Sequence, residues 1–347
     1  MAVKRVTSVD VAKRAGVSRA AVSMAMSGSS QISTEKADEI RRIAKELNYH
    51  PHAAGQILRS MKTDRIGCIL NGRNAQAALS MDFNAPILAC FVEACNENST
   101  QYMVDIHREG EDEILPQQMT SSLVDGSIIV GDVGDKLRSQ LEEWNNYPCV
   151  SIDEPSRYCV ITNAEAGIVD AINRLVALGH RRIAYAGGPQ RYLLHRKAMG
   201  GFQNAVRSGI VDINHDSWIR IFGHDVLDYG SVQSEESIKW ARSILTAQER
   251  PTAVICHGIL IARAVVFAAT ELGMKIPEDL SVVSWGSAWI AQQNYPKLAT
   301  VEQDFKSMVT EAMNMLKSLT LGKEVLEPMK SVDTHFVNGA TLGEVKK

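Results

Sequence analysis

Residues 6–28 read VTSVDVAKRAGVSRAAVSMAMSG, two short stretches with helical spacing broken at Gly16 and closed by Gly28. Thr7 stands where an N-cap is needed, and Asp10 follows three residues later, a variant of the capping box. Val9, Val11 and Ala12 give the first helix an apolar face, and Gly16 supplies the positive φ that a tight interhelical turn requires. Ser18 caps a second helix over Arg19–Met26, whose inner side is Ala21, Val22 and Ala25. A third helix begins after Ser33, where Ala37, Ile40, Ile43, Ala44 and Leu47 recur at helical spacing with Arg41, Arg42 and Lys45 between them.

Two short helices around a glycine turn, braced by a longer third, make a helix-turn-helix unit. The second helix is short because it must fit a DNA major groove about 12 Å wide and touch base edges with its first residues. Charge agrees with this. Residues 1–63 hold eleven Lys or Arg against five Asp or Glu, so this segment carries +6, and the overall net charge of -3 leaves -9 for the rest. A basic head on an acidic body points to a polyanionic partner for the head alone.

The stretch TSVDVAKRAGVSRAAVSMAMSGSSQISTEKADEIRRIAKELNYHPHAAGQILRS resembles the headpiece of the lactose/galactose repressor family of bacterial transcriptional regulators. The likeness rests on D-V-A-x-x-A-G-V-S at Asp10 to Ser18, A-V-S at Ala21 to Ser23 and L-N-Y-x-P at Leu47 to Pro51. It implies that Arg19 and Ala20, the first residues of the second helix, read bases, with Met24 at a further base-reading position. Arg19 offers a guanidinium fork to guanine, a contact worth about 1–3 kcal/mol of discrimination, whereas Ala20 and Met24 offer apolar contact such as a thymine methyl accepts. Thr7, Ser8, Arg14, Ser18, Ser23, Ser29, Ser33 and Lys36 are the candidates for positioning on phosphate oxygens, which suit hydroxyls, cations and helix N-termini. After residues 1–50, residues 51–63 are expected to form a hinge helix that folds on DNA, pairs with its twin in a homodimer and inserts Leu58 into the minor groove. Gly55 weakens that helix by about 1 kcal/mol relative to alanine.

Beyond Thr63, short apolar runs alternate with amphipathic segments. RIGCIL (65–70), GSIIVG (126–131), YPCVSID (147–153), RIAYAGG (182–188), TAVICH (252–257) and LSVVSWG (280–286) read as buried strands. Such alternation implies parallel sheets covered by helices on both sides. The resemblance extends through the body in LGHRRIAYAGGP, GGFQNAV and PKLATVEQD, and implies an α/β periplasmic-binding-protein-like core over 64–343 with two doubly wound sheets. Lobe one is expected at 64–161 plus 292–323, and lobe two at 162–291 plus 324–343. No leucine heptad follows residue 343, so a tetramer assembled through such a tail is not expected.

The cleft between the lobes is where a small-molecule effector is expected, at strand carboxyl ends. Sugar-responsive members usually place carboxylates after two of these strands, where this chain has His257–Gly258 and Trp285–Gly286–Ser287. The remaining candidates are Asn71, Arg108, Asp153, Arg196 and His257. Arg108, Arg196 and His257 together suit a phosphate or carboxylate better than an array of hydroxyls. The absent carboxylates leave a second reading open, an effector-independent regulator whose cleft has lost its ligand.

The chain contains no G-x-S-x-G, no H-E-x-x-H, no P-loop and no dinucleotide fingerprint, so neither catalysis nor a cofactor is expected. The six cysteines lie scattered and mostly within apolar runs, as small buried hydrophobes rather than metal ligands or a disulfide framework. No run of 18 apolar residues appears and MAVKRVTSVD lacks the apolar stretch of a secretory signal, so the expected location is the cytoplasm, away from membranes.

Overall fold

The computed structural model describes residues 6–346 apart from 28, 48, 50–61, 73–74, 80–82, 108–115, 132–133, 145–146 and 223–230. The described chain divides into two units, residues 1–63 and 64–347. In the first, α1 (Ser8–Ala15), α2 (Arg19–Ser27) and α3 (Thr34–Glu46) pack around Val11, Val22, Ala25, Ile40 and Ile43. The Asp10 carboxylate accepts from the Thr7 backbone N–H at 2.8 Å and from its hydroxyl at 2.7 Å, fastening the start of α1. Gly16 takes φ +64°, a left-handed C-cap that a side chain would strain. Ser18 Oγ accepts from the Ala21 N–H at 3.1 Å, so the capping expected for α2 is in place.

The second unit holds two six-stranded sheets. The first runs β11 (Met329–Val332), β5 (Cys159–Thr162), β4 (Cys149–Ile152), β3 (Gly126–Val130), β1 (Arg65–Asn71), β2 (Gln101–His107), all parallel. The second runs β12 (Thr334–Val337), β10 (Ala299–Gln303), β9 (Ser281–Gly286), β8 (Ala253–Cys256), β6 (Ile183–Gly187), β7 (Ile219–Ile221), with only β12 antiparallel. Helices cover both faces of each. On the first sheet, the helices Asn84–Glu97 and Phe305–Thr320 share a core with Leu70, Ile128 and Val150, while Leu137 and Met119 close the other face over Ile69 and Ile129. On the second, Ala164–Ala177 and Leu193–Arg207 pack on one face, Ser231–Leu245 and Ile259–Glu271 on the other. The central strands β3, β6, β8 and β9 are buried along their whole length, which is why they stand out in the sequence as unbroken apolar runs.

Strand pairing corrects the expected lobe limits. β10 (299–303) pairs with β9 and so belongs to the second sheet, although residues 292–323 are expected in lobe one; β11 (329–332) pairs with β5 in the first sheet, although 324–343 are expected in lobe two. The chain therefore changes sheet after Thr162, after Gln303 and after Val332. The reason is local: β10, β11 and β12 are four or five residues long, and even β10, the one that is mostly buried, includes Thr300 and Gln303 among its buried residues, so hydropathy alone does not say which sheet each joins.

Candidate DNA-reading helix and interlobe cleft

In the first unit, burial sorts α2 into two sides. Val22 and Ala25 are buried against α1 and α3, whereas Arg19 and Ala20 are exposed and Ser23 and Met24 half-buried. Arg19, Ala20, Ser23 and Met24 lie within one arc of the helix at about 100° per residue, away from the packed side. The Arg41 guanidinium donates from Nε to the Ala25 carbonyl at 3.0 Å, satisfying an acceptor in the last turn of α2 and locking that helix to α3. Around this face, Thr7, Arg14, Ser18, Ser33 and Lys36 are exposed, and Ser8 and Ser29 half-buried. Two of these hydroxyls already have internal work: Ser18 caps α2, and Ser29 Oγ accepts from the Gln31 N–H at 3.2 Å. Ser33 stands at the N-cap of α3 with no side-chain bond to the helix, and both it and Lys36 in the first turn are exposed. Leu58 lies outside the described residues.

In the second unit, the carboxyl ends of strands from both sheets meet at one node. The buried Asp153 carboxylate, just past β4, accepts from the Thr162 backbone N–H at 2.6 Å through Oδ1; its Oδ2 accepts from the Thr162 hydroxyl at 2.8 Å and from Gln303 Nε2 at 2.9 Å. Thr162 ends β5 in the first sheet and Gln303 ends β10 in the second, so one carboxylate ties two of the three crossing points together. The third is joined by Asn163 Nδ2 donating to Asp333 Oδ1 at 2.8 Å. Burial pushes the Asp153 carboxyl up to about 6 against the pull of these donors. Asp153, expected among the effector contacts, has both oxygens committed to the hinge between the lobes.

The other expected contacts fall unevenly. Asn71 ends β1 and is buried; its backbone carbonyl accepts from Asn84 Nδ2 at 3.2 Å. His257 follows β8 and is buried. Arg196 is exposed, and its guanidinium donates to the carbonyls of Gln190, at 3.0 Å, and Arg191. Arg108 lies outside the described residues. The three cations and near-cations expected to grip an anion are thus not brought together among the described residues.

What His257 does meet is a second histidine. Its Nδ1 hydrogen-bonds Nδ1 of His195, from the helix Leu193–Arg207, with ring centroids 4.4 Å apart at 80°. Trp285, at the end of β9, packs edge-on to His257 at 4.6 Å and 61°, and Tyr192 packs edge-on to His195 at 5.8 Å. Gly188 makes room for this, since a Cβ there would land in the His195 ring. Burial holds the His195 imidazole down to about 3, and burial followed by the neighbouring imidazole holds His257 well below its ordinary value. Both rings are therefore neutral at physiological pH. His195 escapes a reading of the sequence because it sits 62 residues from His257 and carries no motif of its own.

Comparison with known proteins agrees with this architecture. Residues 8–52 match the bacterial regulatory proteins of the lacI family, and residues 172–342 match the periplasmic binding protein-like domain. The chain thus carries a lacI-family DNA-binding domain ahead of a periplasmic binding protein-like domain. It is 29% identical over 341 residues, covering 95% of this chain and 94% of the relative, to the HTH-type transcriptional repressor PurR of Salmonella paratyphi B, and equally to that of Salmonella heidelberg. The lac repressor dimer bound to operator and the anti-inducer ONPF superposes with a TM-score of 0.81 at 22% identity, covering 97% of this chain and 99% of that one. The transcriptional regulator CelR in complex with cellobiose gives 0.67 at 23% identity, covering 97% and 100%. The chain thus has the fold expected from its sequence, a helical headpiece followed by a core of two mostly parallel sheets. Its relatives are regulators rather than enzymes. Among the described residues no helix is long and apolar enough to cross a membrane.

Proposed function

We propose that this lacI-family protein is a dimeric transcriptional repressor that binds a near-palindromic operator and responds to a small molecule held between its lobes. The observation that carries the reading is the sorting of α2, with Val22 and Ala25 inside and Arg19, Ala20, Ser23 and Met24 outside, on a segment of charge +6. Two such helices, one per protomer, occupy successive major-groove half-sites about 34 Å apart, and the paired Leu58 side chains enter the minor groove between them. The protein acts in the cytoplasm without catalysis or cofactor.

Pairing of protomers is supported by an apolar face on the second lobe. A groove of about 710 Å³ there is lined by Leu260, Phe267, Tyr295, Pro296 and Leu298, with Arg263 at its wall. Phe267 is 50% exposed and Tyr295 fully so, and an apolar surface of this kind suits a second copy of the chain.

The Asp153 node supplies the moving part. An effector that draws the lobes together changes the geometry of the three strand crossings, and with it the spacing of the two hinge segments. Couplings of this kind are about 1–3 kcal/mol, enough to switch operator occupancy. The test is a thermal-shift screen of the full chain against sugars, sugar phosphates and nucleosides, followed by operator binding with each hit. A stabilising compound that changes operator affinity supports the reading. Operator binding with no response to any stabilising compound identifies an effector-independent regulator instead.

A further inference from the structure

Two nitrogens in the second lobe's cleft wall are buried without a hydrogen-bond partner among the described residues: His257 Nε2 and the indole Nε1 of Trp285. The two residues are 2% and 3% exposed and touch each other edge-on. A buried polar atom left unpaired costs about 1–3 kcal/mol, so two of them side by side at the carboxyl ends of β8 and β9 mark a place where something else supplies the bonds. The indole N–H is a donor only. His257 is more adaptable because of its pairing with His195. Of two neutral imidazoles joined Nδ1 to Nδ1, the ring that donates keeps a bare Nε2 acceptor and the ring that accepts carries its proton on Nε2. His257 Nε2 is therefore an acceptor in one tautomeric arrangement of the neutral pair and a donor in the other, and passing between them moves the shared proton together with a proton gained at one Nε2 and lost at the other.

We propose that this wall recognises an uncharged, planar heteroaromatic effector through a lactam edge, its carbonyl accepting from Trp285 Nε1 and the adjacent ring nitrogen pairing with His257 Nε2. The inference rests on the cleft being the effector site. Three features separate it from the alternatives. A polyol is gripped by carboxylates and carboxamides, and the residues closing β8 and β9 are His257, Gly258, Trp285, Gly286 and Ser287, which include neither. An anion needs a cation; among the described residues neither imidazole carries charge at neutral pH, and Arg196 directs its Nη1 to the Gln190 and Arg191 carbonyls. A flat ring, in contrast, fits against the edges and faces of Tyr192, His195, His257 and Trp285.

The test is isothermal titration of the full-length protein with uracil and hypoxanthine as lactams, glucose as polyol and glucose 6-phosphate as anion. The expected result is binding of at least one lactam, no heat from glucose or glucose 6-phosphate at the same concentrations, and a loss of about tenfold or more on Trp285→Phe and on His257→Phe. Trp285→Phe keeps the ring and removes only the donor, and a melting curve close to the parent's shows that it remains folded. Affinity for the lactam stays level from about pH 8 down to about pH 5.5, because the histidines do not charge in that window. Binding of glucose or glucose 6-phosphate without the lactams, lactam binding that is indifferent to both variants, or silence of every probe at millimolar concentration overturns the proposal. The same samples then meet operator DNA. A bound lactam that leaves operator affinity unchanged removes the regulatory reading and leaves this one standing; glucose 6-phosphate shifting operator affinity does the reverse.

Discussion

Gln303 Nε2 lies 2.9 Å from Asp153 Oδ2, a hydrogen bond between the last residue of a strand in one lobe and a carboxylate at the strand end of the other. Asp153 is fully enclosed, and its carboxyl is held at about 6, above its ordinary 3.8, chiefly by burial. The folded state therefore binds this proton more tightly than the unfolded chain. Stability from this group is fully present below about pH 4 and is lost as pH rises through about 6. Each tenfold in proton affinity is about 1.4 kcal/mol, so the difference amounts to roughly 3 kcal/mol. Urea titrations of the parent and Asp153→Asn across that range will show the parent losing stability relative to the variant as pH rises. Parallel curves remove the assignment.

The histidine pair acts in the opposite direction. With His195 held down to about 3 and His257 also lowered, the unfolded chain takes up protons that the folded chain refuses, so stability is present above about pH 6.5 and lost as pH falls toward 3. Replacing His195 by phenylalanine keeps the ring volume and deletes one of these protons. The acid limb of the unfolding midpoint against pH should become shallower in His195→Phe; an unchanged limb means that the imidazoles already charge in the fold.

Ile40 is wholly buried among Val11, Val22 and Ala25, at the point where α3 meets both shorter helices. Ile40→Ala should cost about 2–5 kcal/mol in a unit of this size and abolish DNA binding while the larger unit keeps its own melting transition. Calorimetry separates the two transitions. Arg41→Ala, which frees the Ala25 carbonyl, should cost about 1 kcal/mol and weaken DNA binding without abolishing it.

Phe267 and Tyr295 line the groove through which we propose the protomers pair. Phe267→Lys places a charge there, and sedimentation at micromolar concentration should show a monomer with unaltered circular dichroism and a much weaker affinity for a two-half-site duplex. A dimer unaffected by the substitution moves the interface elsewhere.

Much of this was legible in the residues. The capping pair Thr7–Asp10, the turn at Gly16 and the apolar spacing of α3 lead directly to the headpiece, since each is a local interaction that leaves a local trace. Buried strands were equally plain, because a strand covered on both faces must be apolar throughout. β2 and β7 were not, since an edge strand has one side toward solvent; β2 exposes Gln101, Tyr102 and Val104. Nor was the site chemistry. Whether Arg196 reaches a ligand or backbone carbonyls, and whether Asp153 serves an effector or the strand crossings, depends on partners distant in the chain, Gln303 being 150 residues from Asp153.

Arg19 opens the outward face of α2, and its replacement separates base reading from charge. Selection of duplexes from a random pool by the parent and by Arg19→Ala should give the same half-site spacing, with one base pair per half-site losing its preference by about 1–3 kcal/mol. Identical preferences at every position would assign Arg19 to phosphate instead.

The most direct measurement is the affinity of the full chain for its selected duplex as salt is raised. The basic headpiece neutralises phosphates, so the logarithm of the binding constant should fall linearly with the logarithm of salt concentration, with a slope of about -0.9 for each phosphate contacted, and a duplex with scrambled half-sites should bind far more weakly at every salt. A flat response, or no affinity for duplex DNA even at low ionic strength, would contradict the account.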